Sequence, residues 1–293
     1  MEKIKKILVL GGNGMLGHMV KNYLTQKGLN VITTERKKNI KQNIFELDII
    51  SNHKEINNII FKQKPDIIVN CIGRLVDSSL TNPKDAIFVN SFFPHYVASL
   101  SEEHSIKFIH ISTDCVFNGE NGPYIESSFK DEANYYGLSK NLGEVIDYKN
   151  SITIRTSIIG PEIRDNKTGL FHWVFSKKNK IDGYNKAFWS GVTTLELSKY
   201  IEDIILNDKF NNKLIHATNN SLISKHDLIS LIIETFDLDL NLNADSKKSI
   251  NKQLLDTSNQ DYKFPSYLQM INEQRNWMIN NKFLYNHNYP NLK

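Results

Sequence analysis

Cysteine is almost missing from this chain: Cys71 and Cys115 are the only two among 293 residues. Two thiols cannot build a disulfide framework and are too few for a zinc cluster, so a reducing, cytoplasmic setting and no bound metal are expected. Long apolar runs are missing as well. No stretch approaches the roughly 20 residues that span a bilayer. Residues Met1–Leu10 form a short charged lead with about five apolar residues, below the roughly 7–15 of a secretory leader. Neither membrane insertion nor export is expected. Charge of one sign is lacking too: 36 Lys and Arg stand against 32 Asp and Glu, a formal net charge of +4. Basic residues are scattered among acids rather than gathered in a block, so no nucleic-acid partner is expected. Internal repeats and low-complexity linkers are also absent, which leaves one large core, or a core with a smaller lobe.

What is present is an alternation. Apolar runs at Ile7–Leu10, Asn30–Thr33, Ile67–Cys71, Phe108–Ile111 and Ile152–Ile154 read as buried strands, with helix-like periodicity between them. Such alternation implies a doubly wound parallel sheet. The turn-rich stretches Gly119–Pro123 and Gly160–Gly169 are expected near a cleft. Beyond Gly160 the pattern loosens, with a strand expected at Leu214–Ala217, a helix at Lys225–Thr235 and a polar, mixed stretch to Lys293.

The first strand runs into Gly11-Gly12-Asn13-Gly14-Met15-Leu16-Gly17, just before a helix expected from Met15. Gly11 permits the tight turn, Gly14 lets the backbone approach a pyrophosphate, and Gly17 lets helix and strand pack closely. Amides at the helix N-terminus then face the anion. This is a dinucleotide-binding turn, so the expected fold is α/β: a doubly wound parallel Rossmann sheet with a smaller C-terminal α/β substrate-binding lobe. Residues 1–160 would form the dinucleotide-binding domain, completed by about 185–220, and residues 161–184 with 221–293 the lobe. At the end of the second strand, Glu35 suits a free ribose 2′-hydroxyl, while Arg36, Lys37 and Lys38 suit a 2′-phosphate. NADPH is expected over NADH. Asp48 and Ile49, after the third strand, suit the adenine edge or a plain turn.

The strand Phe108–Ile111 leads into Ser112-Thr113-Asp114-Cys115, and Tyr135-Tyr136-Gly137-Leu138-Ser139-Lys140 follows at a helix start. Tyr136 and Lys140 are spaced i, i+4, which puts them on one face, where an ammonium can depress a phenol's pKa. Tyr136 would then donate a proton, with Thr113 hydrogen-bonding the substrate oxygen. The spacing alone is weak, since Tyr23 and Lys27 share it on the first helix. Its place after the Gly-rich turn and after a Ser-Thr strand end gives it weight.

With these residues the chain resembles an extended short-chain dehydrogenase/reductase of the dTDP-4-dehydrorhamnose reductase type. The resemblance rests on Leu10–Gly17, Asn70–Gly73, His110–Phe117, Tyr136–Lys140, Ile154–Pro161 and Ser190–Leu197. The run Gly183–Gly191 is similar to enzymes that complete UDP-N-acetyl-L-rhamnosamine and related deoxysugars. The resemblance implies a nicotinamide along Cys71, Ile72 and Gly73 and over Tyr136, with Lys140 touching its ribose, and reduction of the C4 ketone of a nucleotide-linked sugar. Asp114-Cys115 stands where related 4,6-dehydratases carry Asp-Glu, which disfavours dehydration.

A second activity is also expected. If the strand persists, its period of two turns Cys115 and Thr113 toward one face, and a thiolate there could invert the acidified C3 centre before reduction. The chain resembles GDP-fucose synthases in this cysteine. Those enzymes pair it with a downstream His or Lys, for which His172 is the foremost candidate, with Lys167 and Lys177 as substitutes. Arg155, Lys186 and Trp189 are candidates for the nucleotide diphosphate or base, or equally for structural roles. The rival readings are a plain 4-reductase and a non-catalytic NADP-binding regulatory subunit, the latter disfavoured because Thr113, Tyr136 and Lys140 all stand in place. A homodimer through sheet-flanking helices is expected by the same resemblance.

Overall fold

The computed structural model describes residues 4–36, 43–165, 167–211, 213–258, 261–290 and 292. Strands β1 (Lys6–Leu10), β2 (Asn30–Glu35), β3 (Ile44–Glu46), β4 (Ile67–Asn70), β5 (Lys107–Thr113) and β6 (Ser151–Thr156) alternate with helices. The helices are α1 (Met15–Gln26), α2 (Ile49–Asn52), α3 (Glu55–Gln63), α4 (Val76–Thr81), α5 (Pro83–Ile87), α6 (Phe93–Glu103) and α7 (Tyr135–Leu142). A π-helical turn, Phe88–Phe92, joins α5 to α6. The strands read as near-continuous apolar runs because helices cover both faces of the sheet; Ile7–Leu10 and Ile67–Val69 are buried completely or almost so.

The second half contributes β7 (Ile158–Ile159), α8 (Leu170–Phe175), β8 (Asn179–Trp189), β9 (Val192–Thr193), α9 (Thr194–Leu206) and β10 (Leu214–His216). After these come β11 (Ile223–Ser224), α10 (Lys225–Phe236), β12 (Leu240–Asn251), α11 (Tyr267–Asn280) and α12 (Lys282–Tyr285). The main sheet has seven strands in the order β10-β6-β5-β4-β1-β2-β3, and every pairing is parallel. Its order reverses at β1 and β4, which opens a crevice above their carboxyl ends. As expected, β10 returns to this sheet, beside β6. Residues 185–189 do not: they continue β8 in a small sheet of order β11-β8-β12. The long strand β12 falls in the stretch expected to be merely polar. Its alternation is faint because one face meets solvent and its pairing with β8 shifts register after Asp245. Among the described residues no helix is long and apolar enough to cross a membrane.

One buried ion pair locks the site's elements together. Past the end of α7, Glu144 accepts from Nε of Arg155 at 2.6 Å and from Nη2 at 2.7 Å, both side chains being 1% exposed. The Ser112 hydroxyl on β5 and the Lys130 ammonium also donate to this carboxylate, at 2.9 and 3.2 Å. Arg155 therefore has a structural partner, and the expectation that it contacts a nucleotide is corrected: its guanidinium is sealed in the core against Phe117 and the Glu126 carbonyl. Removing one partner of a buried pair strands the other charge, at a cost of about 3–5 kcal/mol. Glu144→Ala should lower stability by that amount in urea unfolding, whereas the double replacement Glu144→Leu with Arg155→Met should recover most of it.

Candidate active site

The Gly-rich turn sits where β1 meets α1. Gly11 adopts φ +83°, the left-handed region, and a Cβ on Gly17 would lie 2.1 Å from the Gly11 carbonyl oxygen. Only hydrogen fits there. Gly14 is the N-cap of α1 and supplies no side-chain bond, and the helix's first turn holds no acid. The amides of this turn are thus available to an anion, and no carboxylate competes for the helix's positive end. The chemistry of this cradle fits a dinucleotide pyrophosphate. Arg164, which the motifs did not reveal, brings Nη2 to 3.9 Å from the place a Gly14 Cβ would take. Its charge also acts on Arg36, which is exposed past β2. Glu35 faces inward, 6% exposed, and pairs with Lys21 at 3.7 Å. Lys37 and Lys38 lie outside the described residues. Asp48 caps α2 by accepting from the Ile50 amide at 3.0 Å, and Ile49 is buried, so the plain-turn alternative accounts for this pair without a ligand.

Across the crevice, the segment Cys71–Gly73 is held by two buried asparagines. Asn70 accepts from the Ile72 amide at 3.1 Å and meets His110 Nδ1 at the same distance. Asn90, on the π-helical turn, accepts from the Arg74 amide at 2.8 Å and donates to the Ser139 hydroxyl at 3.1 Å. The loop after β4 and helix α7 are therefore positioned by one side chain. No motif flagged Asn90; its only signal is a polar residue inside an otherwise apolar helical stretch.

Helix α7 starts at Asn134, whose side chain accepts from the Gly137 amide at 2.9 Å. A Cβ on Gly137 would come within 2.4 Å of the Cys115 carbonyl oxygen, so the helix presses directly on the Cys115 turn. Lys140 donates to the Ile111 carbonyl on β5 at 2.7 Å. The Thr113 hydroxyl acts on the Tyr136 phenol, donates to Asp114 at 3.0 Å and accepts from the Cys115 amide at 3.1 Å. Thr113, Tyr136, Lys140 and Cys115 are thus brought to one place at the carboxyl end of β5.

Two expectations about this cluster change. Lys140 does not depress the Tyr136 phenol: burial, with the Cys115 and Asp114 charges, raises its pKa, opposed by the Thr113 hydrogen bond. The ammonium that was to do so is engaged on Ile111 instead. Likewise β5 does not persist to Cys115. It ends at Thr113, and Asp114–Val116 form a 3-10 turn that Thr113 caps. The thiol reaches the site through this turn rather than through strand alternation. Burial, aided by Asp114, pushes it up to about 12, so Cys115 is a thiol and not the expected thiolate. Cys71 is a thiol for the same reason of burial, also at about 12.

His172 lies elsewhere. Its ring packs edge-on against Tyr289, with centroids 6.0 Å apart. Burial lowers its pKa, Lys167 adds to this, and Glu162 opposes it. Among the described residues no contact or charge interaction joins it to Cys115. Helix α8 begins after Gly169, where a Cβ would lie 2.5 Å from the Met15 side chain at the start of α1. The substitutes fare no better: Lys167 donates weakly to the Asp165 carbonyl and Lys177 sits over Trp173. Trp189 is sealed in the core, 2% exposed, beside Tyr267. Lys186 stands three residues earlier on the same strand and is exposed on the opposite face, as strand alternation requires. The two cannot grip one base together. The charges that do act on Cys115 from the lobe belong to Lys252 and Lys225.

Burial lowers the Lys140 ammonium from an ordinary 10.5 to about 8, with Glu144 opposing the shift. A lowered pKa in the fold means that charge is penalised there, so the cost to stability is full below pH 8 and fades as pH rises toward 10.5. Lys140→Met should therefore gain on wild type by about 3 kcal/mol more at pH 7 than at pH 10.5, at 1.36 kcal/mol per unit. Urea unfolding of both proteins at the two pH values checks this.

Residues 5–273 match the family described as RmlD substrate binding domain. Over 234 residues, 78% of each chain, the sequence is 26% identical to the spore coat polysaccharide biosynthesis protein SpsK of Bacillus subtilis. It is also 26% identical over 238 residues, again 78% of each chain, to a dTDP-4-dehydrorhamnose reductase of Aggregatibacter actinomycetemcomitans. The crystal structure of dTDP-4-dehydrorhamnose reductase from Bacillus anthracis in complex with NADP shares the fold. Its TM-score is 0.80 at 20% identity, over 92% of this chain and 98% of that one. Matched over nearly its whole length, the chain belongs to the RmlD substrate-binding-domain family.

Proposed function

We propose that the protein is an NADPH-dependent reductase of the C4 ketone of a nucleotide-linked 4-keto-6-deoxy sugar that also inverts C3. The observation that carries the reading is the meeting of Thr113, Tyr136 and Lys140 at the carboxyl end of β5, across the crevice from an uncapped Gly-rich helix start. Relatives named for 4-keto sugar reduction and for polysaccharide biosynthesis support it. When bound, NADPH supplies the hydride to C4. Gly11–Gly17 would hold its pyrophosphate, Arg36 and Arg164 its remaining phosphate charge, and Cys71–Gly73 its nicotinamide.

Thr113 orients the C4 oxygen by hydrogen bonding, and Tyr136, held as the phenol by burial, donates the proton that completes the alcohol. Lys140, at about 8, exchanges protons near neutrality and can restore the phenol. The C4 ketone acidifies the C3 proton, and Cys115 stands beside Tyr136 to serve an exchange there. The product we favour is a UDP-linked deoxyaminosugar such as UDP-N-acetyl-L-rhamnosamine, supported by the likeness of Gly183–Gly191 to enzymes of that group. The two free thiols suit a reducing cytoplasm.

Leu75, Leu80, Ile87, Leu138 and Leu142, on or beside the mutually packed helices α4, α5 and α7, are each 41–63% exposed. An apolar face on sheet-flanking helices fits a second copy of the chain. Leu142→Asp should convert a dimer to a monomer in sedimentation; a wild-type monomer refutes the pairing.

The enzymatic reading is tested with NADPH and a UDP-linked 4-keto-6-deoxy-N-acetylhexosamine in deuterated water. Nicotinamide oxidation with deuterium at C3 of the product is expected. Oxidation without that label leaves a plain 4-reductase, and failure to oxidise with several 4-keto sugars points to a regulatory subunit. Tyr136→Phe should lower the reduction rate by about 100-fold or more, and Cys115→Ser should lose C3 label well before it loses hydride consumption.

A further inference from the structure

We infer that Lys225 is the second acid–base residue of the C3 inversion, acting with Cys115 on opposite faces of the sugar ring; the inference rests on the epimerase reading above. The register of the small sheet places it. At the end of β8, Phe188 pairs with Ser224 of β11 on one side and with Asn251 of β12 on the other. Lys225 and Lys252, each the next residue, therefore leave on the two flanks of β8, Lys252 level with Trp189 because β12 runs parallel and Lys225 toward Ala187 because β11 runs antiparallel. That edge is tied to the catalytic turn, because the Asn251 amide donates to the Gly119 carbonyl at 2.8 Å, four residues beyond Cys115. A Cβ on Gly119 would also meet Ile250 and the Lys252 side chain. Two lobe lysines are thus delivered to the Cys115 side of the crevice, and the Asp114 charge acts on both.

The two lysines differ in what holds them. Lys252 pairs with Glu132 at 3.2 Å, and this carboxylate, with Asp114 and Cys115, keeps its ammonium charged. It is a fixed positive charge with its partner already in place. Lys225 lies at the N-terminus of α10, its Nζ 5.2 Å from the Trp189 ring centre, and among the described residues it makes no ion pair at bonding distance. Burial and Lys248 lower the pKa of its ammonium, while the Asp114 carboxylate opposes them. Cys115 is held as a thiol. The roles follow from this arrangement, with burial inclining Lys225 toward its amine. The Lys225 amine takes the proton from C3, the C–H electron pair passes into an enolate whose oxygen Thr113 and Tyr136 hold, and the Cys115 S–H bond breaks to place a proton on the other face of C3. The resulting ammonium and thiolate are reset by proton transfer through solvent, so nothing is consumed.

The test uses wild type and Lys225→Met saturated with NADP+, which cannot deliver hydride, and a 4-keto sugar in deuterated water, with C3 exchange followed by NMR. Reduction of a ketone already inverted at C3 is measured separately with NADPH. Lys225→Met should slow exchange by about 100-fold relative to reduction, whereas Lys252→Met should retain exchange. Lys225→Gln is the second variant, and unchanged dinucleotide binding and thermal unfolding certify both as folded. Exchange in wild type with equal exchange in both Lys225 variants overturns the inference and leaves the epimerase reading standing. A joint loss of exchange and reduction through a raised KM also overturns it, since Lys225 would then bind substrate. Absence of exchange in wild type overturns the epimerase reading and this inference together.

Discussion

The buried pair of Glu144 and Arg155 is the constraint on which the site depends. A carboxylate removed from water is tolerable only when its lone pairs are met, and here two guanidinium N–H groups, the Ser112 hydroxyl and the Lys130 ammonium meet them. These donors come from β5, β6 and the loop before α7, and the acceptor comes from the residue after that helix's C-cap. The arrangement that satisfies all of them fixes α7 against the end of β5. Tyr136 and Lys140 ride on α7 and Thr113 ends β5, so the placing of these three side chains inherits its precision from a buried salt bridge. Gly143 serves the same packing: a Cβ there would strike the Asn90 carbonyl oxygen at 1.8 Å.

What could be read from the sequence was local. Gly11, Gly14 and Gly17 act within one turn, and Tyr136 and Lys140 within one helical turn, so spacing carries their meaning directly. The parallel sheet was legible because its strands are apolar on both faces. Features set by register between distant segments were not. Lys225 and Lys252 reach the catalytic turn only because β11 and β12 flank the same residue of β8, a fact that no motif encodes. Cys115 shows a subtler failure: its nearness to Thr113 was expected from strand alternation, but the strand ends one residue too early and a capped turn does the placing. His172 was chosen by position in the chain, and its ring packs on Tyr289. Trp189 and Arg155 were read as ligand contacts because large polar or aromatic residues near a cleft invite that reading, whereas both are almost completely buried.

Desolvation then sets the chemical state of the site more than any pairwise charge does. It raises the phenol of Tyr136 and the thiol of Cys115 and lowers Lys140, Lys225 and His110. Each shift favours the neutral form. A site of neutral donors and acceptors suits a reaction whose charge develops on a ketone oxygen, because that charge meets hydrogen-bond donors rather than competing ions. It also explains why Lys140 rests on the Ile111 carbonyl: a buried ammonium needs an acceptor, and with no carboxylate at bonding distance the end of β5 supplies one.

Reduction at C4 and inversion at C3 make the same demand on this environment. Both place negative charge on the C4 oxygen, one as an alkoxide and the other as an enolate, and both require it to be held by Thr113 and Tyr136. They differ only in what attends C3. A scaffold built for the first reaction therefore needs just two further groups for the second, one on each face of the ring. On the proposed reading the turn after β5 would supply Cys115, and the edge of the small sheet would supply the other. On that argument the small sheet carries part of the chemistry as well as the grip on substrate, which accounts for the care with which β8 is flanked on both sides at the one residue that sets Lys225 in place.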